Sequence, residues 1–204
     1  MPWWLILIIA IAVVLAYAAW DHRKESRHLA EIFAPLAEKH RGVVTAGRLL
    51  ALPQLRFTLD QRPFLATAMA NSGAIGKVRG PFTFVEVTLA TDSGQEILIA
   101  RSSPLGRAAK PLAVAVAPGS RWCSGDPAFD EAFSIKGGDA SFLAHILGRE
   151  PRQRLLDSRL PGLELRVQGS RISAHCEGIA ETPAQVEEMT ALCRLAASNS
   201  PTER

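Results

Sequence analysis

Cysteine is scarce in this chain. Only Cys123, Cys176 and Cys193 occur among its 204 residues, and no two stand in a CxxC spacing. Such an odd, sparse set provides neither a disulfide framework nor a zinc site. It suits a reducing compartment, with one disulfide plus a free thiol as the alternative. Aromatic residues are also few, at 6%, and the basic residues are dispersed. Nucleic-acid binders gather Lys and Arg into a stripe, so the net charge of +3 is no argument for that class. No GxGxxG, GxSxG or HExxH pattern is present. SGAIGK at 72–77 comes nearest to a phosphate loop and departs from it twice. Asn71 stands where the first Gly is required, and Val78 where Ser or Thr must follow Lys77.

Charge is missing altogether from the N-terminal stretch MPWWLILIIAIAVVLAYAAW. As a helix, Trp3 to Trp20 would extend about 27 Å, close to the thickness of a bilayer's hydrocarbon layer. Trp3 and Trp4 mark one end and Tyr17 and Trp20 the other, as interfacial anchors do. A buried core helix would not lack a polar face for so long. Ala16-Tyr17-Ala18 offers a signal-peptidase pattern, but no Lys or Arg precedes the apolar run. The expectation is a transmembrane anchor over residues 1–20 that contacts the lipid bilayer through residues 3–20. Arg23, Lys24, Arg27, Lys39 and Arg41 follow the span, and by the positive-inside rule they place the body in the cytoplasm. The membrane expected is a bacterial inner membrane, crossed once.

The remaining composition supports a packed domain: 48% of residues are hydrophobic and 21% charged. Residues 21–41 read as a juxtamembrane helix in which Leu29, Ile32, Phe33, Leu36 and Ala37 form one apolar face. Pro35 is a candidate kink. The charged remainder reads as a solvated face, with contact of Arg23, Lys24 and Arg27 to anionic lipid as the second reading.

Residues 42–198 read as one α+β cytoplasmic domain, followed by a flexible tail at 199–204. Alternation predicts strands over Leu55–Leu59, Phe64–Met69, Phe82–Ala90, Gln95–Ala100 and Leu112–Val116. Asp92-Ser93-Gly94 reads as the turn of a hairpin joining the third of these to the fourth. The period then changes. Residues 140–147 form a helical face closed by Gly148, and a second short helix opens with Pro151. Leu163–Val167 and Arg171–Glu177 make a hairpin. Thr182-Pro183-Ala184-Gln185 is a capping box that opens a last helix, with Val186, Met189, Cys193 and Ala196 facing inward. Hairpins without a repeated βαβ unit imply antiparallel sheet.

GDPAFDEAFSIKGGD at 125–139 concentrates Asp126, Asp130, Glu131 and Asp139. It lacks the alternating ligand spacing of a calcium loop. The structural reading makes Gly125-Asp126-Pro127 a turn, Phe129 and Phe133 apolar anchors, Ser134-Ile135-Lys136 a strand and Asp139 the cap of the helix at Ala140. The chemical reading is an acid–base pair drawn from Asp126, Asp130 and Glu131, joined by His40, His145 or His175. His175-Cys176 invites a thiol–imidazole pair, but strand neighbours point to opposite faces. Cys176 therefore reads as core and His175 as surface. His145 reads as a hydrogen-bonded, partly buried histidine.

Gly125, Asp126, Phe129, Asp130, Phe133, Gly137, Asp139 and Leu155-Leu156 form a GD-x-x-FD-x-x-F segment leading into two short helices. In this the chain resembles uncharacterised bacterial single-pass membrane-anchored proteins. The resemblance implies the anchor and the architecture, and it carries no catalytic, cofactor or metal residues. The expected function is a membrane-tethered, non-enzymatic binding or scaffolding module with a protein partner of unknown identity. The alternative is a membrane-anchored hydrolase or acid–base enzyme using Asp126, Asp130 and Glu131.

Overall fold

A single helix, α1 (Trp3–His40), contains both the apolar stretch and the charged segment that follows it without a break. The computed structural model describes residues 3–47, 51–69, 81–102 and 122–200. Within α1 the surroundings change sharply. The most apolar eighteen-residue window has none of its residues buried, and Trp3, Ile8, Leu15 and Trp20 all stand exposed. Further on, Leu29, Ile32, Phe33 and Leu36 are buried at 0–5% exposure. They form the face that the spacing predicts. Pro35 removes one backbone donor but does not end the helix.

The buried half of α1 packs against β1 (Val43–Thr45), β2 (Gln54–Leu59) and the C-terminal helix α5 (Pro183–Ser198). Lys39 Nζ reaches Glu187 of α5 at 2.6 Å. The other strands are β3 (Arg62–Met69), β4 (Phe82–Thr88), β5 (Glu96–Arg101), β6 (Phe133–Gly137), β7 (Glu164–Gln168) and β8 (Arg171–Glu177). Among the described residues there are also three short helices: α2 (Pro127–Ala132), α3 (Ala140–Ile146) and α4 (Arg149–Asp157). The fold is α+β. Eight strands form one sheet in the order β1-β2-β3-β4-β8-β7-β5-β6, with every ladder antiparallel.

Strand alternation sorts the side chains. Leu55, Phe57, Phe64, Ala66, Val85, Val87, Ile97, Ile99, Leu165, Val167, Ile172 and Ala174 point to one face and are buried beneath the helices. Val186, Met189, Leu192, Cys193, Ala196 and Ala197 of α5 close the core from the other side. The described helices all pack on this face. α5 lies across β4 and β8, and α3 and α4 lean on α5.

Two expectations need correction. β4 and β5 do not form a hairpin, because the β7–β8 hairpin lies between them. The Asp92-Ser93-Gly94 loop bridges the tip of that hairpin instead of folding back on itself. Leu89 N–H donates to the Ser170 carbonyl at 2.7 Å, Ser93 N–H to that of Gly169 at 3.2 Å, and Gly169 N–H to that of Gln95 at 3.0 Å. Gly169 has φ +61, and a Cβ there would stand about 3 Å from the Asp92 carboxylate, so the crossing accepts only glycine without rearrangement. The second correction concerns Gly148, which opens α4 as its N-cap, while Leu147 caps the C-terminus of α3. The segments 72–77 and Leu112–Val116 lie outside the described residues.

The contrast within α1 is testable. Phe33→Ala should cost about 3–5 kcal/mol of domain stability, as a fully buried aromatic deletion does. Ile11→Ala, in the exposed half, should leave it unchanged within about 0.5 kcal/mol. Urea unfolding of the full chain in detergent measures both, and equal losses would refute the division.

Candidate functional site

The sheet face away from the helices carries a polar row that the registers place in line across seven strands. It runs Arg56, Leu65, Glu86, Ser173, Arg166, Leu98, Lys136. Val43 stands beside Arg56 at the β1 edge. Opposite charges occupy this row and its neighbours. Arg166 pairs with Glu164 at 2.5 Å and Arg171 with Glu86 at 3.8 Å. Burial raises the Glu86 carboxyl above the usual carboxylate range, and the Arg171 charge partly opposes that.

At the β1–β4 end this face opens into a groove of about 680 Å³. Val43, Pro63 and Leu65 give it an apolar lining, Arg41 and Arg56 supply positive charge, and Glu86 supplies negative charge. His40, at the end of α1, also lines it. The His40 ring stacks on Phe57 at 5.0 Å and Phe57 on Phe64 at 5.2 Å, so the imidazole is one layer of a stack. Among the described residues the groove contains neither serine nor cysteine. An apolar lining with charges of both signs is suited to holding a ligand or peptide. β-Alternation predicts which face Arg56 and Glu86 occupy. That they share a groove depends on strand order, which alternation does not contain.

The acidic segment is built differently. Asp126 is the N-cap of α2, and its Oδ1 accepts from Ala128 N–H at 3.1 Å and Phe129 N–H at 3.3 Å. Asp130 Oδ1 accepts from Ser124 N–H at 2.9 Å. Glu131 is exposed. Residues 127–132 are thus helical; the expected turn at Gly125-Asp126-Pro127 leads into a helix that the sequence reading did not include. Asp139 caps α3 through Phe142 N–H at 2.7 Å, and it exchanges two hydrogen bonds with the Gln95 amide at 2.9 and 3.0 Å. The carboxyl is held below the usual range by the bond from Phe142 N–H above all, then by the Ser141 hydroxyl at 2.8 Å, with a smaller contribution from the Gln95 amide. The hydrogen bonds of Asp126 and Asp130 named here all come from backbone N–H groups of their own loop and helix. For Asp126 that is the geometry of capping, and for Asp130 it is a tie to the loop before the helix. Among the described residues no group of three His, Cys, Asp or Glu side chains could hold a metal ion.

His145 is exposed, not partly buried, and its Nδ1 lies 2.7 Å from the Ser141 carbonyl. His175 departs from expectation in the other direction. It points away from Cys176 as alternation requires, yet it is half-buried. It stacks on Phe84 at 5.5 Å, with Phe82 at 5.6 Å and Ser173 Oγ 2.8 Å from Nε2. Burial, aided by the Arg166 charge, pushes its pKa down to about 4. Cys176 and Cys193 are core residues whose thiols burial pushes up to about 11 and about 12. Cys193 Sγ donates to the Val85 carbonyl at 3.3 Å. Cys123 is exposed, and none of the three cysteines forms a disulfide.

No protein-family model matches the chain, and no curated protein matches it. Among solved structures, the mycobacterial trehalose monomycolate transport factor A, TtfA, shares its fold. The TM-score is 0.55 at 8% identity, over 85% of this chain and 94% of that one.

Two predictions follow from this geometry. Asp126→Ala should destabilise the domain by about 1 kcal/mol, as loss of a capping oxygen does, while Asp126→Asn should stay within a few tenths. Equal losses in thermal unfolding would refute the cap. For His175 the unfolded chain binds more protons between pH 6.5 and about 4, so stability is full above pH 6.5 and falls as pH is lowered to about 4. The part due to this residue should reach roughly 3 kcal/mol at its limit. His175→Gln should flatten the urea midpoint over that window, and an unchanged slope would refute the assignment.

Proposed function

We propose that this chain is a non-enzymatic binding or scaffolding module, tethered by one span to a bacterial inner membrane, with its α+β domain in the cytoplasm. The observation that carries the proposal is the division of α1. Its first half exposes an uncharged, apolar surface long enough to cross a bilayer, and its second half is built into the domain core. A tether of this kind is stiff, and the domain cannot swing freely beneath it. The groove with charges of both signs is the surface on which a partner would act. Of the acidic residues that an enzyme reading would need, Asp126 caps α2 and Asp130 holds the Ser124 N–H of the preceding loop. The fold shared with a protein named as a transport factor agrees with a module that works by binding.

Orientation rests on Arg23, Lys24, Arg27, Lys39 and Arg41 after the span, with no basic side chain before it. Paired C-terminal reporters test it, one fluorescent only in the cytoplasm and one active only outside it. The expected result is cytoplasmic fluorescence in the membrane fraction. External activity would overturn the orientation, and signal in the soluble fraction would overturn the tether.

A further inference from the structure

We infer that α1 carries a second membrane contact, a docking face for the headgroups of anionic phospholipids in the leaflet next to the domain. The inference rests on the tether proposed above. Over residues 21–31 the charges cancel: Arg23, Lys24 and Arg27 stand against Asp21, Glu25 and Glu31. Net charge therefore predicts no attraction. The structure separates these charges by direction and by height.

At about 100° per residue, Arg23, Lys24 and Arg27 fall within roughly 60° of the direction of Trp20. Leu29, Ile32, Phe33 and Leu36 fall on the opposite side, centred about 170° away. Those four are buried in the domain, so the basic face is locked outward. Trp20, Arg23, Lys24, Arg27, His28 and Glu31 line one concavity of about 480 Å³, and all of them are exposed. Glu25 lies toward the domain side and is half-buried, and Asp21 is at the flank.

Height sorts the charges again. Along the axis Arg23, Lys24 and Arg27 rise about 4.5, 6 and 10.5 Å above Trp20, and Glu31 rises about 16.5 Å. The headgroup layer of one leaflet is about 5–8 Å thick. Helical side chains lean toward the helix N-terminus, which here is the membrane side. The long stems of Arg27 and Lys24 therefore bring their charges down toward the phosphates. Glu31, the acid on this face, stays beyond the layer. Tyr17 and Trp20, 6.1 Å apart, are the aromatic residues where the lipid-facing stretch ends.

The test uses the full chain with Trp3, Trp4 and Trp122 replaced by Phe, so that Trp20 is the one fluorophore. It is reconstituted into vesicles that mix brominated phosphatidylcholine with unbrominated phosphatidylglycerol, and into the converse mixture, so that the difference in quenching gives the relative affinity of the two lipids at Trp20. The expected preference for phosphatidylglycerol is roughly 5-fold for each basic side chain engaged. It should weaken as salt is raised. Arg23→Gln/Lys24→Gln/Arg27→Gln should bring the ratio near one, while Arg56→Gln/Arg171→Gln on the distant sheet face should leave it unchanged. A ratio near one in the parent chain, or one unmoved by the triple substitution, would overturn the docking face while leaving the tether standing. Absence of quenching by either lipid would overturn the tether itself.

Discussion

Four side chains on one face of α1 hold the two halves of this molecule together. Leu29, Ile32, Phe33 and Leu36 are all buried in the half of α1 that packs on β1, β2 and α5. Removing each from water is worth about 1.5–3 kcal/mol. The helix that carries them has an exposed, charge-free first half, which has no such stabilisation from the domain. A flexible linker would have separated the two environments. Here the helix continues through Pro35 to His40, and the Lys39–Glu187 ion pair adds a peripheral tie. Rotation and height of the domain relative to the apolar stretch are therefore set by helix geometry. The azimuth of the basic face and the distance of the groove from the apolar stretch both follow from this one contact.

The sheet depends on a second constraint, the insertion of the β7–β8 hairpin between β4 and β5. It places Glu164, Arg166, Ser173 and His175 in the middle of the helix-free face beside Phe84 and Glu86. The insertion is held at its tip by the 89–95 loop and flanked by strands along both edges. In this setting His175 loses solvent to Phe82 and Phe84, two residues about ninety positions earlier in the chain.

Local order was legible in the sequence. The β2–β3 and β7–β8 hairpins, the three later helices and the inward face of α5 all follow from period and turn residues. The Asp139 cap followed from a short acidic side chain placed one residue before a helical period. Partnership between distant strands was not legible. A turn-forming Asp-Ser-Gly is compatible with a hairpin and with a crossing over another hairpin, because both need the same dihedral angles. The groove belongs to this second kind, since Arg56 and Glu86 meet only through β3. His175 was assigned to the correct face and the wrong environment for the same reason. Alternation tells direction, whereas burial depends on what a remote strand brings alongside.

These constraints divide the surface by height. With Trp20 at the bilayer interface, His40 at the far end of α1 stands about 30 Å away along the helix axis. His40 and Arg41 line the groove, so the groove lies well beyond the headgroup layer and several Debye lengths from lipid charge. In that placement its charged residues stand out of reach of the headgroups. Arg23, Lys24 and Arg27 lie within reach of that layer and face away from the domain. A soluble partner would meet the groove and lipid would meet the lower helix, and a stiff α1 would keep the two from competing. Any partner bound at the groove would then be held at a fixed distance from the bilayer, which is the mechanical service that a rigid tether can provide and a flexible one cannot.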